Sequence, residues 1–359
     1  MYINGKFMAT AYEYIEYNKR KSRLLVALFP ISFTLFVYLS VLLFFVLIGL
    51  LTYFRANNIL SFESIWRHAF LSAHEACVWI LPLCFLLAVF WAWQAWKQGD
   101  QIILQSVPHL RELNKWDEPE VYNLLENLCI STGDYLPQLY ILEDNSMNAF
   151  AVGMDPMHAG IVVSRGLITK LDRAQLEGVL AHELAHIRHY DTRLMIIILT
   201  CVAFFTFAGE LFFYGTEKDN LESDLAGKLA PLRQARIPLL VYVGAMLLCY
   251  GYVVAPALRF ALSRTRESMA DAQAVLMTRY PKGLTSALWR ISQDSEIEAL
   301  DGHSLLGVMC IARPIKKDSF FEKISGIGRT HPPVEDRILD LRKMDGGEGL
   351  FQVENKNAE

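Results

Sequence analysis

The chain alternates long uncharged apolar runs with stretches of mixed polarity. Residues 24–54, 78–96 and 237–258 contain no charged side chain, and 194–214 contains only Glu210. A membrane-spanning helix needs about 20 predominantly apolar residues, whereas shorter runs of about 10–14 suit a buried core helix. The pattern therefore predicts four transmembrane helices, over 24–54, 78–96, 194–214 and 237–258. The first run is too long for the apolar core of a cleaved signal peptide, and no small-residue cleavage site follows it.

Between the runs the period changes. A helix is predicted from Asp117 to about Ser131, with Glu118, Pro119 and Glu120 in its first turn and Gly133-Asp134 as its stop. Strands are predicted at 138–142, 149–152 and 160–164, where β-branched and apolar residues cluster between turn formers. Asp172, with Gln175 three residues on, reads as a helix N-cap with its box partner. The helix that starts there is expected to run through His186 and continue into the third span. Residues 345–359 are rich in Gly, Glu and Asn and predict a flexible tail.

Charge sets an orientation. Lys19, Arg20, Lys21 and Arg23 precede the first span, whereas 55–76 holds only Arg55 and Arg67 as basic residues. The positive-inside bias places the N-terminal segment 1–23 in the cytosol and 55–77 in an external loop. Residues 97–193 are then cytosolic, 215–236 form a second external loop, and 259–344 return to the cytosol. The second loop, with four basic and four acidic residues, adds little to this orientation. A net charge of −4 argues against a nucleic-acid partner. The six cysteines form no CxxC pair, three lie in the apolar runs and Cys77 directly precedes one, so these read as small hydrophobes rather than as a disulfide or thiolate site.

The chemistry concentrates in His182-Glu183-Leu184-Ala185-His186. Histidines at i and i+4 share one helical face and can bind one metal ion, and the Glu after the first is placed to act as a base. This is the HExxH pattern of zinc peptidases, and it calls for one Zn2+ per chain. No glycine and third histidine follow at the spacing of the metzincin pattern, and His189 lacks a turn to aim it back. The third ligand is expected from Glu267, with Asp271 one turn on to accept a hydrogen bond from a ligand imidazole. His186 lies eight residues before Leu194 and Glu267 nine after Leu258. At about 1.5 Å per residue both stand roughly 12–14 Å from one membrane boundary, so the 81-residue gap between them is accounted for by a membrane hairpin.

Together these residues resemble the membrane-bound zinc metallopeptidases of the HtpX type, related to the CAAX-prenyl-protein endopeptidases. The resemblance runs from about Asp117 to Arg342. It rests on Asn148-Ala149-Phe150-Ala151-Val152-Gly153, on the HExxH helix with Asp191 after it, and on Glu267-Ser268-Met269-Ala270-Asp271. It closes on Thr330-His331-Pro332-Pro333-Val334-Glu335-Asp336-Arg337. It implies a multi-pass α-helical membrane protein with an α+β gluzincin zinc-peptidase domain, a small β-sheet plus zinc-binding helices, on the cytosolic side. That domain would comprise 97–193 and 259–344. Zinc would be held by His182, His186 and Glu267, with Glu183 as general base and Asp271 and Asp191 orienting neighbours. Asn148, Ala149 and Phe150 would lie on the edge strand that docks an extended substrate. His331 is either a donor to the oxyanion, an inhibitory fourth ligand or a residue at a helix start. Arg337 either meets a substrate carbonyl or pairs with Glu335 or Asp336.

The expected activity is zinc-dependent endopeptidase cleavage of membrane or misfolded proteins at the cell (inner) membrane, as in membrane protein quality control. The expected partners are polypeptide substrates, membrane proteins or unfolded chains, and the lipid bilayer. Processing of lipidated (prenylated) proteins is one alternative, and a catalytically idle zinc-bound membrane scaffold is another. Glu183 argues against the scaffold, since a structural site needs no base. The spans lack paired intramembrane charges and an evident repeat, which argues against a transporter.

Overall fold

Four short strands organise the mixed-polarity region. The computed structural model describes residues 2–3, 6–7, 11–55, 61–201, 242–243, 245–247, 249–250, 264–294, 309–311 and 333–344. Strands β1 (Tyr2–Ile3) and β2 (Lys6–Phe7) form a two-residue antiparallel pair near the N-terminus. The larger sheet contains β3 (Leu110–Glu112), β4 (Gln138–Leu142), β5 (Ala149–Val152) and β6 (Gly160–Ser164) in the order β3-β4-β6-β5. Strands β4 and β6 run parallel, and the two outer pairings are antiparallel. The three strands expected from sequence have the expected bounds. Strand β3 was not expected: its three residues, Leu110, Arg111 and Glu112, carry two charges and are paired only through β4.

Side-chain alternation selects the core. Leu139, Ile141, Ala149, Ala151, Ile161 and Val163 belong to one buried apolar cluster with Leu124, Leu125 and Leu128 of α3 (Pro119–Thr132). Helix α3 starts with Pro at its first position and stops at Gly133, whose φ of 73° is the left-handed conformation that glycine adopts at no steric cost. Helix α4 (Arg165–Lys170) follows β6 directly, capped by the Ser164 hydroxyl. Helix α5 (Arg173–Arg188) begins with the expected box: Asp172 accepts from the Gln175 N–H, and the Gln175 side chain accepts from the Asp172 N–H. Beyond it α6 (Arg264–Thr278), α7 (Pro281–Ile291) and α8 (Val334–Met344) complete the set around the sheet.

Helix α5 does not continue into the third predicted span. It is capped at His189, and Tyr190 takes a φ of 60° before a new helical stretch, 191–201. The Tyr190 carbonyl accepts the Leu194 N–H at 3.4 Å and so begins that stretch. The local reason is legible afterwards: His and Tyr are middling helix formers, while Asp191 and Thr192 favour the first turn of a new helix.

The chain divides into two compact units, Met1–Asn18 with Asp100–Met195 and Arg259–Glu359, and Lys19–Gly99 with Ile196–Leu258. The second unit is built on residues 19–55 of α1 (Ala11–Arg55) and 62–99 of α2 (Phe62–Ser106), and the outer ends of both helices belong to the first. Ile15–Arg55 and Glu63–Ser106 are long and apolar enough to cross a membrane, with only 11% and 17% of their most apolar windows buried. A core helix of a soluble protein would be mostly covered. A helix of 45 residues is about 68 Å long, far more than the roughly 30 Å hydrocarbon layer. The helices thus include much that was expected as flanking segments: α1 starts inside 1–23, and 55–77 is helical from Phe62. The run Phe62–Cys77 holds no glycine or proline to stop a helix. Tyr250, in the fourth predicted span, packs its ring against Phe29, Phe33 and Phe36, and its hydroxyl lies 3.0 Å from Ser32 Oγ. Trp91 Nε1 donates to the Thr200 carbonyl at 3.1 Å, so the described start of the third span lies on α2. The second expected loop, 215–236, and the tail 345–359 lie outside the described residues.

In the first unit α5 and α7 approach until their backbones touch. A Cβ on Gly178 would stand 2.8 Å from the Leu284 nitrogen, and one on Gly283 2.6 Å from the Ala174 carbonyl oxygen. In an open helix Gly→Ala gains about 1 kcal/mol from propensity. Here the obstacle is backbone of the facing helix, and overpacking of that kind costs about 1–3 kcal/mol. Gly178→Ala should therefore lower the unfolding temperature of the detergent-purified protein, and an unchanged or raised temperature would refute the contact.

Candidate metal centre

Helices α5 and α6 pack face to face, and each presents two polar side chains one turn apart. His182 and His186 come from α5, Glu267 and Asp271 from α6. His182 and Glu267 are completely buried, and Glu183 is 1% exposed. The two Nε2 atoms lie 3.1 Å apart; Glu267 Oε2 is 3.7 Å from His182 Nε2 and Oε1 is 3.8 Å from His186 Nε2. One ligand atom from each of the three residues falls within 4.8 Å of the others.

The far side of each ring fixes which nitrogen is free. His182 Nδ1 is 2.9 Å from Asp271 Oδ1, and His186 Nδ1 is 3.0 Å from Asp191 Oδ2. A carboxylate there accepts a hydrogen bond from Nδ1–H, so in the neutral ring each Nε2 keeps its lone pair. Three acceptors then converge, which is the chemistry of a cation site, and two guanidiniums stand at its margin: Arg337 Nη2 is 3.3 Å from His182 Nε2 and Arg266 Nη2 is 3.2 Å from Glu267 Oε1. Four-coordinate zinc with bonds of about 2.0–2.1 Å puts neighbouring ligand atoms about 3.3 Å apart, and the observed spacings bracket that value. Burial disfavours the imidazolium of His182 most, and Arg337 adds to it against Asp271, so its pKa falls to about 4. For His186 burial acts the same way but Glu267 and Asp191 outweigh it, and the net direction is upward.

Glu183 stands beside the three. Burial pushes its carboxyl up to about 7, helped by Glu267 and opposed by His186, Arg337 and a hydrogen bond from the Ala151 N–H. The Glu183 Oε1 atom is buried with no hydrogen-bond partner among the described residues. Glu183 lines a pocket together with Ala151, His186, Met195 and residues 309–311. Such a carboxylate, poised near neutrality and open on one oxygen, suits proton transfer. Within 309–311, the Ile311 N–H donates to the Ala149 carbonyl at 2.9 Å. The fully buried Cys310 thiol is pushed up by burial and by Glu183, as expected of an inert hydrophobe.

Arg337 is placed otherwise than either sequence reading. Its Nε and Nη2 donate to the two oxygens of Asp271 at 2.9 and 2.7 Å, and Nη1 donates to the Ile311 carbonyl at 3.1 Å. Its Nη1 is also 3.7 Å from Glu267 Oε2. It is 3% exposed, so it meets no solvent-borne substrate as the structure stands, and its partner is not Glu335 or Asp336. Glu335 and Asp336 are exposed, whereas buried Asp271 offers both carboxylate oxygens to the guanidinium away from water. Burial alone would raise the Asp271 carboxyl; Arg337 and His182 outweigh it and hold it at about 2.

The side chains of the expected substrate strand are buried. Asn148 is 1% exposed, with Oδ1 accepting from the Ala149 N–H at 3.1 Å, and Phe150 is 2% exposed. Ala151, rather than Asn148, Ala149 or Phe150, reaches the pocket. Burial from both faces of the sheet removes the other side chains. His189 is likewise buried. His331 lies outside the described residues. Sequence reasoning missed residues 309–311, which no motif marks, and Arg266, whose Nη2 donates to Glu267 Oε1 at 3.2 Å. Arg266 sits directly before the acidic pair, and that adjacency was the only available signal.

The chain is similar to known proteins. Residues 115–345 match the model of peptidase family M48. A protease HtpX homolog of Dictyoglomus thermophilum is 34% identical over 339 residues, spanning 93% of this chain and 95% of that one. One from Bacteroides fragilis is 36% identical over 247 residues, 67% of this chain and 74% of the other. Among solved structures, that of S. mikatae Ste24p is 20% identical at a TM-score of 0.41, covering 74% of this chain and 58% of that one. By the family match across most of its length and by these relatives, the chain belongs to peptidase family M48 and is a metallopeptidase of the HtpX type.

Proposed function

We propose that the chain is an integral membrane zinc endopeptidase that hydrolyses membrane or misfolded proteins. The observation that carries this reading is the convergence of His182 Nε2, His186 Nε2 and Glu267 beside an open Glu183 oxygen. A zinc ion held by three protein ligands activates water near neutral pH and polarises a carbonyl. Glu183 takes the proton from the attacking water as the C–O bond forms, and passes it to the amine nitrogen as the C–N bond breaks. Asp271 and Asp191 keep the imidazoles in the tautomer that turns Nε2 inward. The two long apolar helices support a site working at a bilayer, and hence membrane proteins among the substrates. The basic cluster Lys19–Arg23 supports an N-terminus and site in the cytosol, with four spans in the inner membrane.

Glu183→Gln should keep bound zinc and lose turnover of an unfolded protein by at least about 100-fold. Glu267→Ala should lose the zinc itself, since two imidazoles are left to hold it. Metal analysis of both purified variants, alongside cleavage, checks the pair; wild-type zinc content in Glu267→Ala would remove that ligand from the reading.

Arg337 acts in this reading as scaffold, not as a substrate contact. Replacing one partner of a buried ion pair leaves the other uncompensated and costs about 3–5 kcal/mol. Arg337→Met should therefore lower the unfolding transition sharply, whereas a raised KM at unchanged stability would favour substrate contact.

Orientation is open to a direct check. A cysteine introduced as Leu225→Cys, with the six native cysteines replaced, should react with a membrane-impermeant thiol reagent added outside sealed right-side-out vesicles. Labelling only after the vesicles are opened would reverse the proposed topology.

A further inference from the structure

The two histidines are backed unequally. Behind His182 stands Asp271, and behind Asp271 stands Arg337 with two hydrogen bonds. Behind His186 stands Asp191, and the group that holds Asp191 comes from the other end of the chain. Asn18, in the second turn of α1, is 2% exposed. Its Nδ2 donates to Asp191 Oδ1 at 2.8 Å and to the carbonyl of His189 at 2.9 Å.

The direction of these bonds is fixed by chemistry. A carboxylate and a main-chain carbonyl are both acceptors, so the carboxamide must present its NH2 to them. One hydrogen therefore goes to each. The His189 carbonyl belongs to the C-cap of α5, where the helix leaves acceptors without intrahelical donors. The other hydrogen occupies Oδ1 of Asp191 and leaves Oδ2 for His186 Nδ1, at 3.0 Å. Asp191 is 1% exposed, so no layer of bulk water can replace a lost donor.

We propose that Asn18 is a positioning residue of the metal centre. It ties Asp191 to the end of α5, and Asp191 in turn aims His186 Nε2 at the cation. Asn18 lies outside residues 115–345, so this support comes from outside the region that matches the family model. The inference rests on the reading of His182, His186 and Glu267 as a zinc site.

The test is a double-mutant cycle read in zinc affinity, by chelator competition on the full-length detergent-purified protein. Outer partners of metal-bound histidines typically contribute about 10–100-fold in affinity. Asn18→Ala should weaken zinc binding within that range and shift the visible bands of the cobalt-loaded protein. Asp191→Asn should weaken it as well, and adding Asn18→Ala to Asp191→Asn should cost little more, because Asn18 acts through Asp191. Alanine suits a helix, and Asn18→Ser serves as the milder variant should Asn18→Ala not fold. Losses that simply multiply in the double variant would reduce Asn18 to helix docking and overturn the inference. Zinc in the wild type with unchanged affinity in Asn18→Ala would overturn it too, and leave the zinc site standing. A wild type that binds no zinc would overturn the reading of the centre and the inference with it.

Discussion

Three acceptor atoms pointed at one another in a dry interior are tolerable only around a positive charge. His182 Nε2, His186 Nε2 and the Glu267 carboxylate make such a point, and the rest of the peptidase unit is arranged about it. The buried charges around them point the same way. Glu183, Glu267, Asp191 and Asp271 are at most 3% exposed, as are Arg266 and Arg337. With neutral imidazoles and all four carboxylates ionised, which for Glu183 requires a pH above about 7, these six groups sum to four negative and two positive charges, a net of −2. Leaving two such charges uncompensated away from water costs several kcal/mol each. A divalent ion at the convergence would neutralise them.

Holding that arrangement calls for helices that do not shift. Helix α5 is clamped from α7 by two glycines whose missing side chains let backbone meet backbone, and it is tied at its start by the Asp172–Gln175 box. Its end is as important as its start. The break at Tyr190 allows Asp191 to fold back on His186; a continuous helix would carry position 191 round to another face. A left-handed conformation at a tyrosine costs roughly 1–2 kcal/mol. The hydrogen bonds that Asp191 makes across the turn offset it.

What was legible in the sequence was what is local. Strands at 138–142, 149–152 and 160–164, the capping box and the histidine pair are each written within a few neighbouring residues. The acidic pair on α6 was also readable, because Glu267 and Asp271 repeat the one-turn spacing of His182 and His186. The rest depends on partners far along the chain. Arg337 meets Asp271 across 66 residues, and Asn18 meets Asp191 across 173. No periodicity encodes such pairings. Strand β3 escaped for a related reason, since two of its three residues are charged and only β4 makes it a strand. The break at Tyr190 escaped because an apolar run after the histidines outweighed two weak helix formers.

The outer edge of β5 sets a further constraint on how a peptide can be bound. Its Ala149 carbonyl already accepts from Ile311, and its Ala151 N–H already donates to Glu183. A substrate adding a strand there would have to replace these bonds rather than satisfy open ones. Exchanging one backbone hydrogen bond for another is nearly neutral in free energy. Such docking would therefore draw its net affinity from side chains entering the pocket, and displacement of residues 309–311 would also strip the Ile311 carbonyl from Arg337. The same guanidinium holds Asp271, which holds His182. The outer edge of β5 and His182 are thus joined through one buried arginine, so whatever moves residues 309–311 alters the hydrogen bonding behind that imidazole.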